Sequence, residues 1–145
     1  LKRLHEVASI REKELNEDTL IYNANMTEMK PEVGHQLPIE MYREGYEYYV
    51  ETHFHPNSHS CFLQRNLMDL MVYDPVQFMY LLDQPLLMMV GDHADTNYMS
   101  EQAFELAITT KEKELYYLKD ATHIQTYYKE SVVKEAIEKL DIFYK

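Results

Sequence analysis

Five consecutive apolar residues, Leu86-Leu87-Met88-Met89-Val90, opened by Pro85 and closed by Gly91, constrain the fold more than any other segment. A short, uninterrupted apolar run ended by glycine has the pattern of a strand covered on both faces, as in a parallel sheet. Parallel strands need a crossover, and the residues that follow supply one. Ser100 can cap a helix with Glu101 in its first turn and Phe104 and Ala107 on one face. Residues 114–118 read as a second strand. Val133, Ala136, Ile137, Leu140 and Phe143 then trace the stripe of a last helix, with Ser131 as its cap. Strand, helix, strand, helix makes a right-handed parallel α/β unit.

Upstream of Pro85 the pattern is helical and interrupted. Leu1, Leu4, Ala8, Arg11 and Leu15 recur at three- and four-residue intervals, which predicts a helix with that face inward, ending before residues 16–18. Pro31, Gly34 and Pro38 punctuate a polar stretch without periodicity, read as a long loop. Tyr42, Tyr46, Tyr49 and Val50 predict a helix over 39–50, and residues 52–60 are turn-rich. Residues 63–73 read as a helix stopped by Asp74-Pro75, because the residue before proline is pushed out of the α region. The expected division is a mostly helical, cap-like segment, residues 1–84, and the βαβα unit, residues 85–145.

Composition narrows the partners. At 145 residues the chain is one domain's length, with 46% hydrophobic and 27% charged residues, so it can bury a core. Twenty-five acids against fourteen Lys and Arg give a formal charge of −11, a field that repels nucleic acid and anionic membranes alike. The single cysteine, Cys61, forms no internal disulfide, and residues 1–11 lack the apolar core of a secretory leader; a reducing cytoplasm is the expected compartment. Thirteen tyrosines and nine methionines fit core and cap packing, or an apolar pocket; the sequence does not separate the two.

In open parallel sheets, reactive groups gather in the loops that leave the carboxyl ends of strands. Here one such loop, Gly91-Asp92-His93-Ala94-Asp95-Thr96, carries two carboxylates, and the next, Lys119-Asp120-Ala121-Thr122-His123, carries a histidine. A carboxylate beside an imidazole fixes the ring's tautomer and stabilises the imidazolium formed when it takes a proton from a nucleophile. Asp95 and His123 are therefore the candidate catalytic pair, with Asp92 the alternative acid. The same residues can also be a solvated or helix-capping aspartate and a loop histidine bonded to backbone. No serine has the small neighbours of a G-x-S-x-G elbow: Ser9, Ser58, Ser60, Ser100 and Ser131 all fail, as does Cys61 between His59 and Leu63. A competing constellation is His53, His55, His59 and Cys61, which can in principle hold zinc or copper, although their spacing matches no standard motif.

Tyr46-Glu47-Tyr48-Tyr49, His55-Pro56-Asn57-Ser58, Gln84-Pro85-Leu86-Leu87, the Gly91 to Thr96 loop, Lys113-Glu114-Leu115 and Ala121-Thr122-His123 appear in that order. In sequence and spacing they resemble the C-terminal half of α/β hydrolases related to dienelactone hydrolase, including polyketide-transferase-like members. The resemblance spans residues 41–144. It implies a serine hydrolase acting on a small-molecule carboxylic ester or related acyl bond, without a cofactor, in which Asp95 is the triad acid and His123 the general base. It favours Asp95 over Asp92, because the family pattern keeps the Asp before Thr96. It implies that the segment through Tyr73 covers the active site, and that the nucleophile and oxyanion donors lie upstream of Leu1. This chain alone is then expected to be inactive and either to self-associate as a homo-oligomer or to need its N-terminal half. The other class of reading is a non-catalytic α/β binding module, with the βαβα unit as scaffold only; a small flavodoxin-like domain fits less well, since its remaining strands are not visible in residues 1–74.

Overall fold

The structure, a computed structural model, describes residues 1–145. The chain divides into two compact units, Leu1–Pro38 with Gly45–Asp74, and Ile39–Glu44 with Pro75–Lys145. Helix α1 (Lys2–Glu17) opens the first unit and ends with Asp18 in the left-handed region, a position Asp tolerates better than most residues. Its buried face is Val7 and Glu14, flanked by half-buried Ile10 and Arg11, while Leu1 and Leu15 are exposed. This corrects the expected face by a rotation about the helix axis. Polar pairing sets it: Glu14 Oε1 accepts the Ile21 N–H at 2.8 Å, its other oxygen lies 3.5 Å from the Arg65 guanidinium, and Arg11 donates to the Arg65 carbonyl and to Asp69. With this face inward Val7 is fully buried and the buried Glu14 carboxylate has partners, as a buried charge requires.

The expected loop contains a 3₁₀ turn at Met26–Glu28 and a one-turn helix, α2 (Pro31–Gly34), with proline at its start. Tyr22 bridges antiparallel to Leu63, which ties this stretch to the later segment. Helix α3 (Glu40–Tyr46) runs on into a π-helical turn, Glu47–Thr52, so the expected 39–50 helix is real but widened in its second half. Its first residues, up to Glu44, belong to the second unit. A 3₁₀ turn, Gln64–Asn66, leads into α4 (Leu67–Val72), close to the expected 63–73 helix.

The second unit holds the sheet. Strand β1 (Leu86–Gly91) pairs in parallel with β2 (Lys113–Leu118), Leu86 opposite Lys113 and Gly91 opposite Leu118. These two strands are the whole sheet, so β1 is half-buried over Leu86 to Met89 rather than covered on both faces. Between them runs α5 (Asn97–Leu106), and after them α6 (Glu130–Phe143). Neither Ser100 nor Ser131 is a cap. Thr96 and Lys129 hold those positions, and both serines lie inside the helices, because each helix starts a few residues earlier than its sequence signal. Leu118, Ala121 and Val132 form the core, with Met89, Tyr116 and Ala136 packed on it. Ile137, expected on the inner stripe of α6, is exposed. The face toward β2 instead carries Val132, Glu135 and Lys139, since Glu135 accepts from the Tyr116 hydroxyl at 2.9 Å and Lys139 pairs with Glu114 at 2.5 Å.

The division between units falls at Asp74, ahead of the change of sequence character at Pro85. The intervening 3₁₀ helix, Pro75–Leu81, belongs with the sheet: the Thr109 hydroxyl donates to the Tyr80 carbonyl at 2.5 Å and the Thr110 hydroxyl to the Gln84 carbonyl at 2.7 Å. No helix is long and apolar enough to cross a membrane.

Candidate functional site

Because β1 and β2 are parallel, the loops leaving them emerge at one edge of the sheet, and they are tied to each other there. The N–H of Asp92 donates to the Leu118 carbonyl at 3.0 Å, the N–H of His93 to the Ala121 carbonyl at 3.0 Å, and the N–H of Ala121 to Asp92 Oδ1 at 3.1 Å. Gly91 makes this approach possible, since a Cβ on it would collide with the Ala121 carbonyl oxygen. The Ala121 bond, partly opposed by desolvation, holds the Asp92 carboxyl below its ordinary value. Asp92, the alternative acid, is thus committed to joining the two loops.

His123 sits at the start of a 3₁₀ turn, Ile124–Tyr127, pinned by the Thr126 hydroxyl donating to its carbonyl at 2.7 Å. Both ring nitrogens have hydroxyl partners: Nδ1 lies 3.1 Å from Thr96 Oγ1, and Nε2 lies 2.6 Å from the Tyr127 hydroxyl. Asp95 is brought to the same place without a direct bond to the ring. It lines with His123 a cavity of about 20 Å³, room for one water molecule, together with His93, Thr122 and the Glu40 and Glu44 end of α3. Glu44 Oε2 is buried there and accepts no hydrogen bond. His123 also lines a cleft of about 270 Å³, together with Met89, Ala94, Met99 and Ser100 as well as Thr96 and Thr126. The site therefore combines a doubly engaged imidazole, nearby carboxylates and a partly apolar cleft.

The four donors His53, His55, His59 and Cys61 do not converge. His53 stacks on Tyr48 and its Nδ1 lies 2.8 Å from the Thr52 hydroxyl; His55 Nδ1 accepts the Asn57 N–H at 3.2 Å, closing the turn at Pro56. Donor atoms gather instead at Asp92, His93 and Asp120, all within 4.8 Å of one another at the exposed loop edge, an arrangement with the ligand types of a divalent-cation site. Sequence reasoning missed this group, and it missed Thr96 and Tyr127 as partners of His123. Thr96 was visible only as the neighbour of Asp95. Tyr127 stands four residues after His123, the separation at which one turn brings side chains together.

The fold so defined is a mixed α/β chain with a two-stranded parallel sheet. No family model matches it, and no curated protein does. Among solved structures, the crystal structure of a hypothetical protein from Pseudomonas aeruginosa is similar, with a TM-score of 0.74 at 20% identity. The match covers 96% of this chain and 43% of that one, so the chain spans less than half the length of this structural relative.

Proposed function

We propose that residues 1–145 are the acid and base portion of a serine hydrolase of the α/β-hydrolase fold, related to dienelactone hydrolase and acting on small-molecule carboxylic esters or related acyl bonds. The observation that carries this reading is the setting of His123. Its ring stands where two parallel strands end and lines a partly apolar cleft, Nδ1 faces the Thr96 hydroxyl, and Nε2 faces the Tyr127 hydroxyl at 2.6 Å. An imidazole with Nδ1–H donated to Thr96 keeps its lone pair at Nε2, the tautomer of a general base. In the proposed reaction a serine outside these residues attacks the acyl carbon as its proton passes to Nε2. The tetrahedral intermediate collapses, the leaving alkoxide takes that proton, and water releases the acyl group by the same route. Asp95 acts through its charge across the small shared cavity, stabilising the imidazolium. Methionines 89 and 99 line the cleft that would take a hydrocarbon acyl group. No cofactor takes part, and the partner is the remainder of a longer protein or a second copy.

The test uses both forms. In the longer protein, His123→Ala should lower kcat by orders of magnitude with folding retained, and unchanged turnover overturns the assignment. The 145-residue chain alone should hydrolyse p-nitrophenyl acetate no faster than free imidazole and resist a fluorophosphonate probe; stoichiometric labelling of Ser100, which lines the His123 cleft, would move the nucleophile into this chain. One observation favours a second reading, a non-catalytic α/β binding module. Two hydroxyls saturate His123, as they would a structural histidine.

A further inference from the structure

An ionised carboxylate only accepts hydrogen bonds, so one withdrawn from water needs donors around it. The cavity of about 20 Å³ beside His123 is lined by three of them, Glu40 and Glu44 of α3 and Asp95 of the loop after β1. None of the three has a side-chain hydrogen bond or an ion pair, and Glu44 Oε2 is buried in that state. Two imidazoles, His93 and His123, share the wall, and no Lys or Arg does. Elsewhere the fold meets its withdrawn carboxylate: Glu14 has the Ile21 N–H and Arg65. Here the acceptors and their charge are left over, around a space that holds one water-sized group.

We propose that this cavity takes a primary ammonium group, carried by the substrate or by a free amine. The site stands independently of the hydrolase reading. An ammonium head has the size of a water molecule and brings three N–H donors with a positive charge, a donor for each carboxylate. Water brings two donors and leaves the charge unbalanced. A guanidinium exceeds the space, and a quaternary ammonium has no N–H to give. A divalent metal ion draws its ligand atoms in to about 2.0–2.6 Å. The donor set that converges closely in this chain is Asp92, His93 and Asp120, not these carboxylates. Hydrogen bonds from N⁺–H, about 2.7–2.9 Å long, tolerate a wider ring of acceptors. Glu40 and Asp95 are exposed, so the carbon chain of the amine has a way out to solvent while its head stays within.

The test titrates the 145-residue chain with ethylammonium chloride at about pH 8, above the range in which imidazoles gain charge and repel a cation. Saturable shifts of the His93 and His123 ring resonances are expected in the millimolar range, the limit for a ligand of three heavy atoms. Glu44→Gln and Asp95→Asn should each weaken binding about tenfold, the effect of losing one charge-assisted hydrogen bond. Glu44→Gln should not lower Tm, because the charge it removes has no partner, so the weaker binding is not a loss of folding. Potassium chloride and tetramethylammonium chloride at equal ionic strength should give no saturable shift. Equal shifts with tetramethylammonium, saturation by magnesium chloride instead of ethylammonium, or no saturation at all overturn the site. In the longer protein the source of the amine is read from the ratio of kcat/KM for glycine ethyl ester over ethyl acetate. A tenfold fall of that ratio in Glu44→Gln assigns the amine to the substrate, and an unchanged ratio with ethylammonium still bound assigns it to a free amine. Should the longer protein turn over neither ester, the hydrolase reading falls and the titration decides the site alone.

Discussion

The carboxylate of Asp92 accepts the N–H of Ala121 at 3.1 Å, binding the loop that leaves β1 to the loop that carries His123. This bond, ahead of smaller contributions from the Asp120 and His93 backbone and the His93 ring, lowers the Asp92 carboxyl below its ordinary 3.8. A carboxyl whose pKa is lower in the folded state stabilises that state fully above its ordinary value and loses the contribution as pH falls through the folded value. Asp92→Asn is therefore expected to be less stable than wild type at neutral pH, with the difference shrinking below about pH 3.8. Thermal unfolding across that range checks it, and a difference that does not change with pH would sink the assignment.

Gly91 ends β1 where the Ala121 carbonyl passes against it, and space rather than backbone angle demands glycine there. Gly91→Ala must push the two loops apart. The expected loss is about 1–3 kcal/mol, typical of an added methyl group in a filled site. Urea unfolding measures it, and the His123 ring resonances should shift in the same variant, because the displaced carbonyl belongs to its loop.

Glu14 offers a test of which face α1 buries. Glu14 is 6% exposed and its carboxylate serves both the Ile21 N–H and Arg65, so Glu14→Ala leaves a half-buried donor unmet and is expected to cost about 1–3 kcal/mol. Leu15, 85% exposed, should tolerate alanine within about 0.5 kcal/mol. The reverse ranking in chemical denaturation would mean that the leucine face is the buried one.

That pair also shows what the sequence makes legible. The 86–90 run announced a strand because continuous apolarity at that length has few other outcomes, and its crossover helix and parallel partner followed from chain handedness. The face of α1 was hidden because a polar pair across the fold decided it, and long-range pairing leaves no periodicity. The two helix starts differ from the sequence signal for separate reasons: Lys129 is not a capping residue type, and Thr96, which is one, turns its hydroxyl to His123 and not to the helix. At the candidate site, strand-end position singled out Asp92, Asp95 and His123. Which hydroxyls reach the ring depends on one 3₁₀ turn and one loop, geometry below the resolution of sequence pattern.

Adjacent tyrosines on β2 point to opposite faces of the sheet and hold one helix each. Tyr116 donates to Glu135 of α6 at 2.9 Å, and Tyr117 to Glu101 of α5 at 2.6 Å. Each carboxylate acceptor favours the neutral phenol and, with desolvation, raises its pKa above 10.0. A raised folded value stabilises the fold below the ordinary one and the gain is lost as pH climbs through the raised one. Tyr116 and Tyr117 should ionise late in an alkaline absorbance titration, and Tyr116→Phe and Tyr117→Phe should each remove one late-ionising group. A titration unaltered in both variants would mean that these hydrogen bonds do not form.

Strand β1 pairs on one side only, so its other edge presents the unpaired backbone groups of an apolar run. Open, flat, apolar edges recruit further strands. Within the same unit Phe78, Leu81, Met99 and Ile108 are all more than half exposed, which adds apolar surface that a neighbour would cover. The 145-residue chain is accordingly expected to self-associate, its weight-average mass in sedimentation rising with concentration above 17.4 kDa. In a longer protein that supplies the adjoining strand the edge is satisfied within the chain, and mass should stay constant over the same range. A monodisperse species of 17.4 kDa at every concentration would show that side-chain cover or strand twist already protects β1, and would remove the need for a companion segment.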